Sequence, residues 1–199
     1  MESLKLENPL QQNLQEINMN NAFKMGKNVK IYDFAKIIST DQNLQIGDYS
    51  QIDDFVFLNA GFQTNIGRFV HISSFTSIIG GGEFNMEDFS GLSAGCRIIT
   101  GTDDFNGPYL SNPTIPEEYK NVQKGIITIK KHAIIGSNAI ILPNVVIGEG
   151  ATIGAGCLVM KDMEAWSIYI GYNPKKVGER DKDGIIDLER KLKKELGLS

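Results

Sequence analysis

Residues 129–164 read I-K-K-H-A-I, I-G-S-N-A-I, I-L-P-N-V-V, I-G-E-G-A-T, I-G-A-G-C-L and V-M-K-D-M-E, so isoleucine or valine opens every block of six. A helix repeats about every 3.6 residues and a strand about every two, so neither requires an aliphatic residue at each sixth place. A chain wound into a three-sided coil does, because each hexapeptide supplies one short strand and one corner while the aliphatic side chain fills the interior. The stretch therefore predicts a parallel β-helix.

The other places in each block fit the same coil. The fifth place is mostly small, as a second inward position requires: Ala133, Ala139, Val145, Ala151, Cys157 and Met163. The residues near the predicted corners tolerate a positive φ: Asn138, Asn144, Gly150 and Gly156.

The repeat also runs upstream, with a longer stride. Inward aliphatic residues recur there at steps of six, six and eight, so each coil takes twenty residues, two of them extra at one corner. In this register Phe62 falls at a fifth place and is expected among the inward residues. The upstream series is Ile46, Ile52, Leu58, Ile66, Ile72, Ile78, Met86, Leu92 and Ile98, and a frayed first coil is assigned to Ile31 and Ile37. The chain is thus expected to be all-β, with about six coils.

The coil domain is expected to span residues 23–180, with one interruption. Residues 100–125 hold three prolines and no six-residue register. A long irregular excursion from a compact domain is usually functional, so this segment is predicted to be a projecting loop that serves the site.

Short helices are predicted at both ends of the chain. Residues 1–22 are polar with leucine and isoleucine at helical spacing, which favours a helix packed on the open end of the coil. Residues 181–199 predict an amphipathic helix that Asp183 caps. Its apolar stripe, Ile185, Leu188, Leu192 and Leu196, is expected to pack on the coil or on a neighbouring subunit.

Composition excludes several classes of protein. A net charge of −4 and a pI of about 5.3 lack the excess of Lys and Arg typical of nucleic-acid binding. No stretch approaches the roughly 20 apolar residues of a membrane span, and the N-terminus has no signal-peptide pattern. Cys96 and Cys157 fall at fifth places, which predicts small buried hydrophobes in a reducing cytoplasm.

Residues 134–163 together with Y-I-G-Y-N-P-K-K-V (169–177) resemble the hexapeptide-repeat acyltransferases, in the branch of the galactoside, maltose and xenobiotic acetyltransferases. The segments G-G-G-E-F-N-M-E-D-F-S-G-L-S-A-G (80–95) and T-D-D-F-N-G-P-Y-L-S-N-P-T-I-P-E-E-Y (102–119) are similar to the group that acetylates sugars for bacterial surface polysaccharides. The resemblance implies a left-handed coil and a homotrimer with active sites in the clefts between subunits. It also implies acetyl-CoA as the donor and a sugar or nucleotide-sugar as the acceptor.

Acyl transfer requires a base for the proton of a sugar hydroxyl or amine, and histidine suits this role because its ordinary pKa lies near neutrality. The chain has two histidines. His71 is predicted to point outward at a corner and to act as the catalytic residue. Ser73, two residues further, is predicted to contact the acceptor. His132 is interpreted as a solvated surface residue.

Two aspartates compete with His71 for the role of base. In the galactoside and xenobiotic enzymes the catalytic histidine follows the last rung before the loop, and here that slot holds Asp103, Asp104 or Phe105. Either His71 faces a neighbour's loop across the cleft, or an aspartate takes the proton. Asp103 is predicted to be catalytic and Asp104 to bind the acceptor, although adjacent aspartates are also ordinary at the start of a loop.

The resemblance also implies a cofactor site on the last coils. Small residues there contact the pantetheine arm of CoA, and basic residues meet its phosphates. By register, the arm is assigned to Ser137 and Ala155, and the phosphates to Lys161, Lys176 and Arg180.

The same residues bear on rival functions. Two histidines cannot supply the three zinc ligands of a γ-type carbonic anhydrase, so no metal site is predicted. The segment before the coil is too short for the nucleotide-binding domain of a nucleotidyltransferase. A non-catalytic β-helix that serves as a scaffold or binding subunit remains the alternative. The residues leave open the acceptor sugar and the choice between O- and N-acetylation.

Overall fold

The computed structural model describes residues 23–40 and 42–198, so the helix predicted in residues 1–22 lies outside the described part. The described chain winds into six complete coils of three short strands, followed by a seventh, partial coil. The strands of the first four coils are β1 (Lys24–Met25), β2 (Lys30–Ile31), β3 (Lys36–Ile38), β4 (Leu44–Ile46), β5 (Gln51–Ile52), β6 (Phe57–Asn59), β7 (Gln63–Ile66), β8 (His71–Ile72), β9 (Ser77–Ile79), β10 (Glu83–Met86), β11 (Gly91–Leu92) and β12 (Arg97–Ile99).

A loop leaves the coil after β12 and returns before the fifth coil. Its root is the antiparallel pair β13 (Gly101–Thr102) and β14 (Gln123–Lys124), and a short 3₁₀ helix, Glu117–Tyr119, lies within it. The remaining strands are β15 (Ile126–Ile129), β16 (Ile134–Ile135), β17 (Ile140–Ile141), β18 (Val145–Ile147), β19 (Thr152–Ile153), β20 (Leu158–Val159), β21 (Ser167–Ile170) and β22 (Lys175–Glu179).

Equivalent strands of successive coils stack into three flat parallel sheets, which form the faces of a triangular prism. Face A contains the first strand of each coil (β1, β4, β7, β10, β15, β18), and face C contains the third (β3, β6, β9, β12, β17, β20). Face B contains the second strands (β2, β5, β8, β11, β16, β19), and the antiparallel hairpin β21–β22 completes it. The loop therefore projects from the C–A corner, which is opposite face B.

The interior confirms the six-residue repeat. All fifteen aliphatic residues predicted to point inward between Ile46 and Val159 are buried, whereas Ile31 and Ile37 in the first coil are only partly so. Burial of each such side chain contributes about 1.5–3 kcal/mol. One expectation was wrong. Phe62 is 73% exposed, because the extra residues at the C–A corner shift the register there and bring Thr64 and Phe84 inward instead.

The corners turn through left-handed residues. Asn138, Asn144, Gly150 and Gly156 have φ of 59°, 63°, 67° and 69°, as their residue types predicted. Upstream, aromatic residues take the same corner positions, and their rings stack from coil to coil. At the A–B corner the stack is Tyr49, Phe69, Phe89 and His132, and at the B–C corner it is Phe34, Phe55 and Phe75.

The C-terminal helix α1 (Lys182–Glu195) packs on the A–B corner, and the expectation about its N-cap was wrong. Its N-cap is Asp181, whose carboxylate accepts the Gly184 amide at 3.0 Å, and not Asp183. Three leucines of the predicted stripe face solvent: Leu188, Leu192 and Leu196. The helix turns Glu189 toward the coil instead, so the coil does not bury these leucines.

No helix within residues 23–40 and 42–198 combines the length and the apolar character that a membrane crossing requires.

Candidate active site

His71 lies on face B, at the start of β8, between Gln51 and Gly91 of the neighbouring strands. The prediction that it points outward is confirmed, since half of its side chain is exposed. The prediction that it occupies a corner was wrong. The corner residue is Phe69, with a φ of 56°, and strand geometry resumes before His71.

A carboxylate holds the imidazole of His71. The Nε2 atom lies 2.9 Å from Oδ2 of Asp53, and the Gln51 side-chain amide donates to Oδ1 of the same carboxylate at 2.8 Å. Burial opposes ionisation of Asp53, but the hydrogen bonds from Gln51 and His71 outweigh it and hold the pKa of Asp53 below its ordinary value. A histidine oriented in this way by a carboxylate is suited to accept a proton from a substrate.

Sequence reasoning missed Asp53 and Gln51. Asp53 lies one coil before His71 and two places along its strand, so the two side chains are diagonal neighbours on one face. The twenty-residue period contained this signal, because it pairs each residue on face B with the one twenty places earlier.

Two serines lie next to His71 on the same side of the prism. Ser73 follows β8 at the start of the B–C corner, and Ser93 follows β11 at the same place in the next coil. Both side chains are half-buried. Their hydroxyls are candidates for contact with a polar acceptor near the imidazole.

Asp103 and Asp104 lie in the loop, away from His71. Oδ2 of Asp103 accepts the Asn112 amide at 3.2 Å. Asp103 lies at the C–A corner, whereas His71 lies on the opposite face of the prism. A single chain therefore does not bring the two predicted catalytic residues together.

Asp104 organises the loop itself. Its carboxylate accepts the side-chain amide of Asn121 at 3.0 Å and the backbone amides of Gly107 and Asn106 at 2.7 and 3.1 Å. These hydrogen bonds lower the pKa of Asp104, and the bond from Asn121 has the largest effect. An aspartate in this arrangement stabilises a turn.

The predicted cofactor residues fall into separate groups. Ser137 and Ala155 lie one above the other at the B–C corner, where the Gly156 amide donates to the Ser137 carbonyl at 2.9 Å. Lys161 is exposed beyond β20 and forms no ion pair with any described residue. Lys176, on β22, is bound by Glu164 at 3.0 Å and Glu179 at 3.3 Å, and these carboxylates raise its pKa.

Arg180 lies at the A–B corner and has structural contacts there. Its Nη1 donates to the carbonyl oxygens of His132 at 2.6 Å and Gly150 at 3.0 Å, tying the chain beyond β22 to the coil.

His132 is not the solvated surface residue that was expected. It is 6% exposed, stacks on Phe89 at 5.3 Å and lies 2.8 Å from a carboxylate oxygen of Glu189 on α1. The fourth place of its hexapeptide does point outward, but α1 covers this corner. His132 therefore belongs to the packing of α1 and not to the candidate active site.

Both cysteines are buried free thiols, as their places in the repeat predicted. Burial raises the pKa of Cys96 to about 11 and that of Cys157 above its ordinary value. Burial thus disfavours the thiolate, which is the reactive form of cysteine.

A left-handed parallel β-helix of hexapeptide repeats is the class of fold that this architecture defines. Residues 127–161 match the family described as bacterial transferase hexapeptide (six repeats). An Escherichia coli dTDP-4-amino-4,6-dideoxy-D-glucose acyltransferase is 39% identical over 170 residues, which cover 85% of this chain and 88% of that protein. The chain belongs to the hexapeptide-repeat acyltransferases.

Solved structures agree with this assignment. AntD, an N-acyltransferase from Bacillus cereus in complex with dTDP and 3-hydroxybutyryl-CoA, is 39% identical and superposes with a TM-score of 0.82 over 94% of this chain and 96% of that one. A hexapeptide-repeat acetyltransferase from Vibrio cholerae, VCA0836, superposes with a TM-score of 0.53 at 14% identity and shares the fold alone.

Proposed function

We propose that this protein transfers an acyl group from a CoA thioester, acetyl-CoA, to the amino group of a nucleotide-linked amino sugar. The observation that carries the proposal is the 39% identity, over 85% of the chain, to an acyltransferase whose substrate is dTDP-4-amino-4,6-dideoxy-D-glucose. The Bacillus cereus relative is an N-acyltransferase, and one of its complexes holds that sugar nucleotide with coenzyme A. The product would serve a surface polysaccharide, and the free thiols favour a cytoplasmic location.

In this reaction the amine nitrogen attacks the thioester carbonyl, the carbon–sulfur bond breaks, and the amine gives up a proton. His71 accepts that proton, and Asp53 at 2.9 Å stabilises the imidazolium that forms. The departing CoA thiolate takes up a proton from the His71 imidazolium, so the products are an amide and free CoA, and neutral His71 is restored.

The spacing of two residues supports a role for Asp103. The AntD structures include variants in which a serine at position 84 or an aspartate at position 94 is replaced, ten positions apart. In this chain a serine is followed ten residues later by an aspartate at one place, Ser93 and Asp103. We take these two as their counterparts and assign Asp103 to the amine of the acceptor.

A homotrimer would complete the site. Ser93 lies at the B–C corner and Asp103 at the C–A corner, so two subunits must contribute for both to reach one acceptor. The loop is rich in exposed apolar side chains suited to a neighbour's surface: Phe105, Tyr109, Leu110, Tyr119 and Val122. The exposed leucines of α1 are a second such surface.

The test is transfer by the purified protein with dTDP-4-amino-4,6-dideoxyglucose as the acceptor. Acetyl-CoA and 3-hydroxybutyryl-CoA are compared as donors, with the acylated sugar followed by mass spectrometry and the free thiol by a colorimetric reagent. The expected result is a single N-acyl product, formed faster from acetyl-CoA.

The matched control is the same sugar nucleotide with a hydroxyl in place of the amine, which should not react. Acylation of the hydroxyl compound would show an O-acyltransferase. No turnover with either donor would refute the proposed function.

A further inference from the structure

The aromatic stack at the B–C corner ends at a glycine. Phe34, Phe55 and Phe75 stack with ring centroids 5.6 and 5.2 Å apart and interplanar angles of 13° and 8°. The same position in the next coil is Gly95, with a φ of 76°. Phe75 is 61% exposed, one ring face lies on Phe55, and no described aromatic ring covers the other face.

The A–B corner shows what such a glycine can accommodate. There the stack runs through Phe89 and His132 to Gly150, where a Cβ would overlap the indole ring of Trp166. The Trp166 ring thus occupies the space that the glycine leaves, with its centroid 6.1 Å from that of His132. At the B–C corner no described ring does the same at Gly95.

Two polar side chains lie beside Gly95, the next position of the stack. A Cβ on Gly95 would overlap the amide oxygen of Asn138, so this amide reaches into the glycine's layer, and it bonds to no described residue. Nη1 of Arg97 is fixed by the carbonyl oxygens of Phe75, Gly95 and Cys96 at 2.6, 2.8 and 3.2 Å, while its other nitrogens donate to no described residue.

We propose that the open face of Phe75, with Asn138 and Arg97 beside Gly95, is a stacking subsite for a nucleobase. A planar ring stacked on Phe75 would lie beside Gly95, outside the Asn138 amide, and the amide and guanidinium offer the donors and the acceptor that a base edge requires. Such contacts with aromatic faces are a general mode of base binding. The subsite rests on the proposed function, which supplies two bases, that of the sugar nucleotide and the adenine of CoA.

The test is a Phe75→Leu variant, which keeps an apolar side chain and removes the ring face. Calorimetric titrations with dTDP and with CoA are compared for the variant and the wild type. The Kd of one nucleotide should weaken about 5- to 100-fold, since each stacked base contributes substantially. Phe75→Tyr, which keeps the ring, should restore the affinity. A weaker Kd for dTDP alone assigns the subsite to the base of the sugar nucleotide, and a weaker Kd for CoA alone assigns it to the adenine of CoA.

The matched control is Phe34→Leu, at the far end of the same stack and also exposed. It should leave both affinities unchanged, and thermal melting should show all variants folded. Unchanged Kd values in Phe75→Leu, with normal binding by the wild type, would overturn the subsite alone. If both leucine variants lose nucleotide affinity equally and the oligomer dissociates in sedimentation, the aromatic stack is a protein interface. That result would also overturn the subsite. A wild type that binds neither nucleotide would refute the proposed function as well.

Discussion

At the scale of single residues, the candidate chemistry depends on how His71 is held. The Asp53 carboxylate is hydrogen-bonded to Nε2 of His71. Because Nδ1 of His71 has no hydrogen-bond partner among the described residues, this nitrogen is available for a substrate proton. The two histidines of the chain differ in environment, since one is half exposed on a flat face and the other is buried under a helix. They should respond differently to replacement.

His71→Ala is expected to lower kcat about 10²–10⁴-fold, the usual cost of losing a general base, and to leave the Kd for acetyl-CoA nearly unchanged. Asp53→Asn should lower kcat by less, because the imidazole remains but loses its orienting carboxylate. His132→Ala should retain activity and melt at a lower temperature, since it removes a buried ring from the A–B stack. Steady-state kinetics and thermal melting measure both effects. Full activity of His71→Ala would show that Asp103 or the CoA sulfur accepts the substrate proton in place of His71.

Asp103→Asn and Asp104→Asn should separate a site residue from a loop residue. The first is expected to lower kcat or raise the acceptor KM without a change in the acetyl-CoA KM, because asparagine keeps the size and removes the charge. The second should act through loop stability, since the Asp104 carboxylate holds Asn106, Gly107 and Asn121. Limited proteolysis within residues 100–125 reports that loss. Unchanged kinetics in Asp103→Asn would make it an ordinary residue at the start of the loop.

At the scale of the element, a buried carboxylate of α1, that of Glu189, contacts the coil. Glu189 accepts from His132 at 2.8 Å, and it pairs with Lys131 at 2.6 Å and Lys193 at 3.2 Å. Burial opposes its ionisation, but these partners outweigh it and lower the pKa of Glu189 to about 2. Because its folded pKa is depressed, the charge stabilises the protein above the unfolded pKa of about 4.5 and loses that effect as the pH falls toward 2.

Glu189→Gln should lower the free energy of unfolding by about 1–3 kcal/mol at neutral pH, since it leaves buried donors poorly paired. The difference in Tm between wild type and variant should narrow as the pH falls from about 5 to about 3, because the wild type then loses the same charge. The matched control is Asp187→Asn on the same helix, an exposed residue paired to Arg190 at 2.6 Å, and its effect should stay within about 0.5 kcal/mol. A Tm difference that is constant with pH would contradict this account.

At the scale of the whole molecule, assembly should determine activity. Leu188 and Leu192 are exposed on α1 although their spacing is that of a buried stripe. A double substitution Leu188→Ser and Leu192→Ser is expected to dissociate the proposed homotrimer and to abolish turnover, because the proposed half-sites on separate subunits would no longer meet. Sedimentation velocity and kinetics measure the two effects on one preparation.

The control for assembly is Lys191→Ser with Lys194→Ser, exposed positions on the same helix that should preserve the trimer. A wild-type monomer with full activity at micromolar concentration would contradict the shared site. If turnover is lost while the trimer stays intact, the leucines of α1 are not required for assembly.

The coil, its number of turns and its loop were predictable because each depends on residues close in the chain. An inward isoleucine every six places specifies the interior of a hexapeptide coil whatever the rest does, and Asn138 or Gly156 at a corner suits the positive φ there. The prediction failed for Phe62, where two extra residues shifted the register. The eight-residue step between inward side chains indicated an enlarged C–A corner, but it did not show which residues there point outward.

By itself, the sequence determined a β-helix of about six coils, its core, a projecting loop and a small set of polar candidates that included His71 and Asp103. Only the tertiary structure decided that Asp53 holds His71, that His132 is covered by Glu189, and that the leucines of α1 face outward. The physical reason is the range of the interactions. The repeat is a local pattern, whereas these pairings depend on which residues twenty places apart become neighbours and on where a separate helix packs.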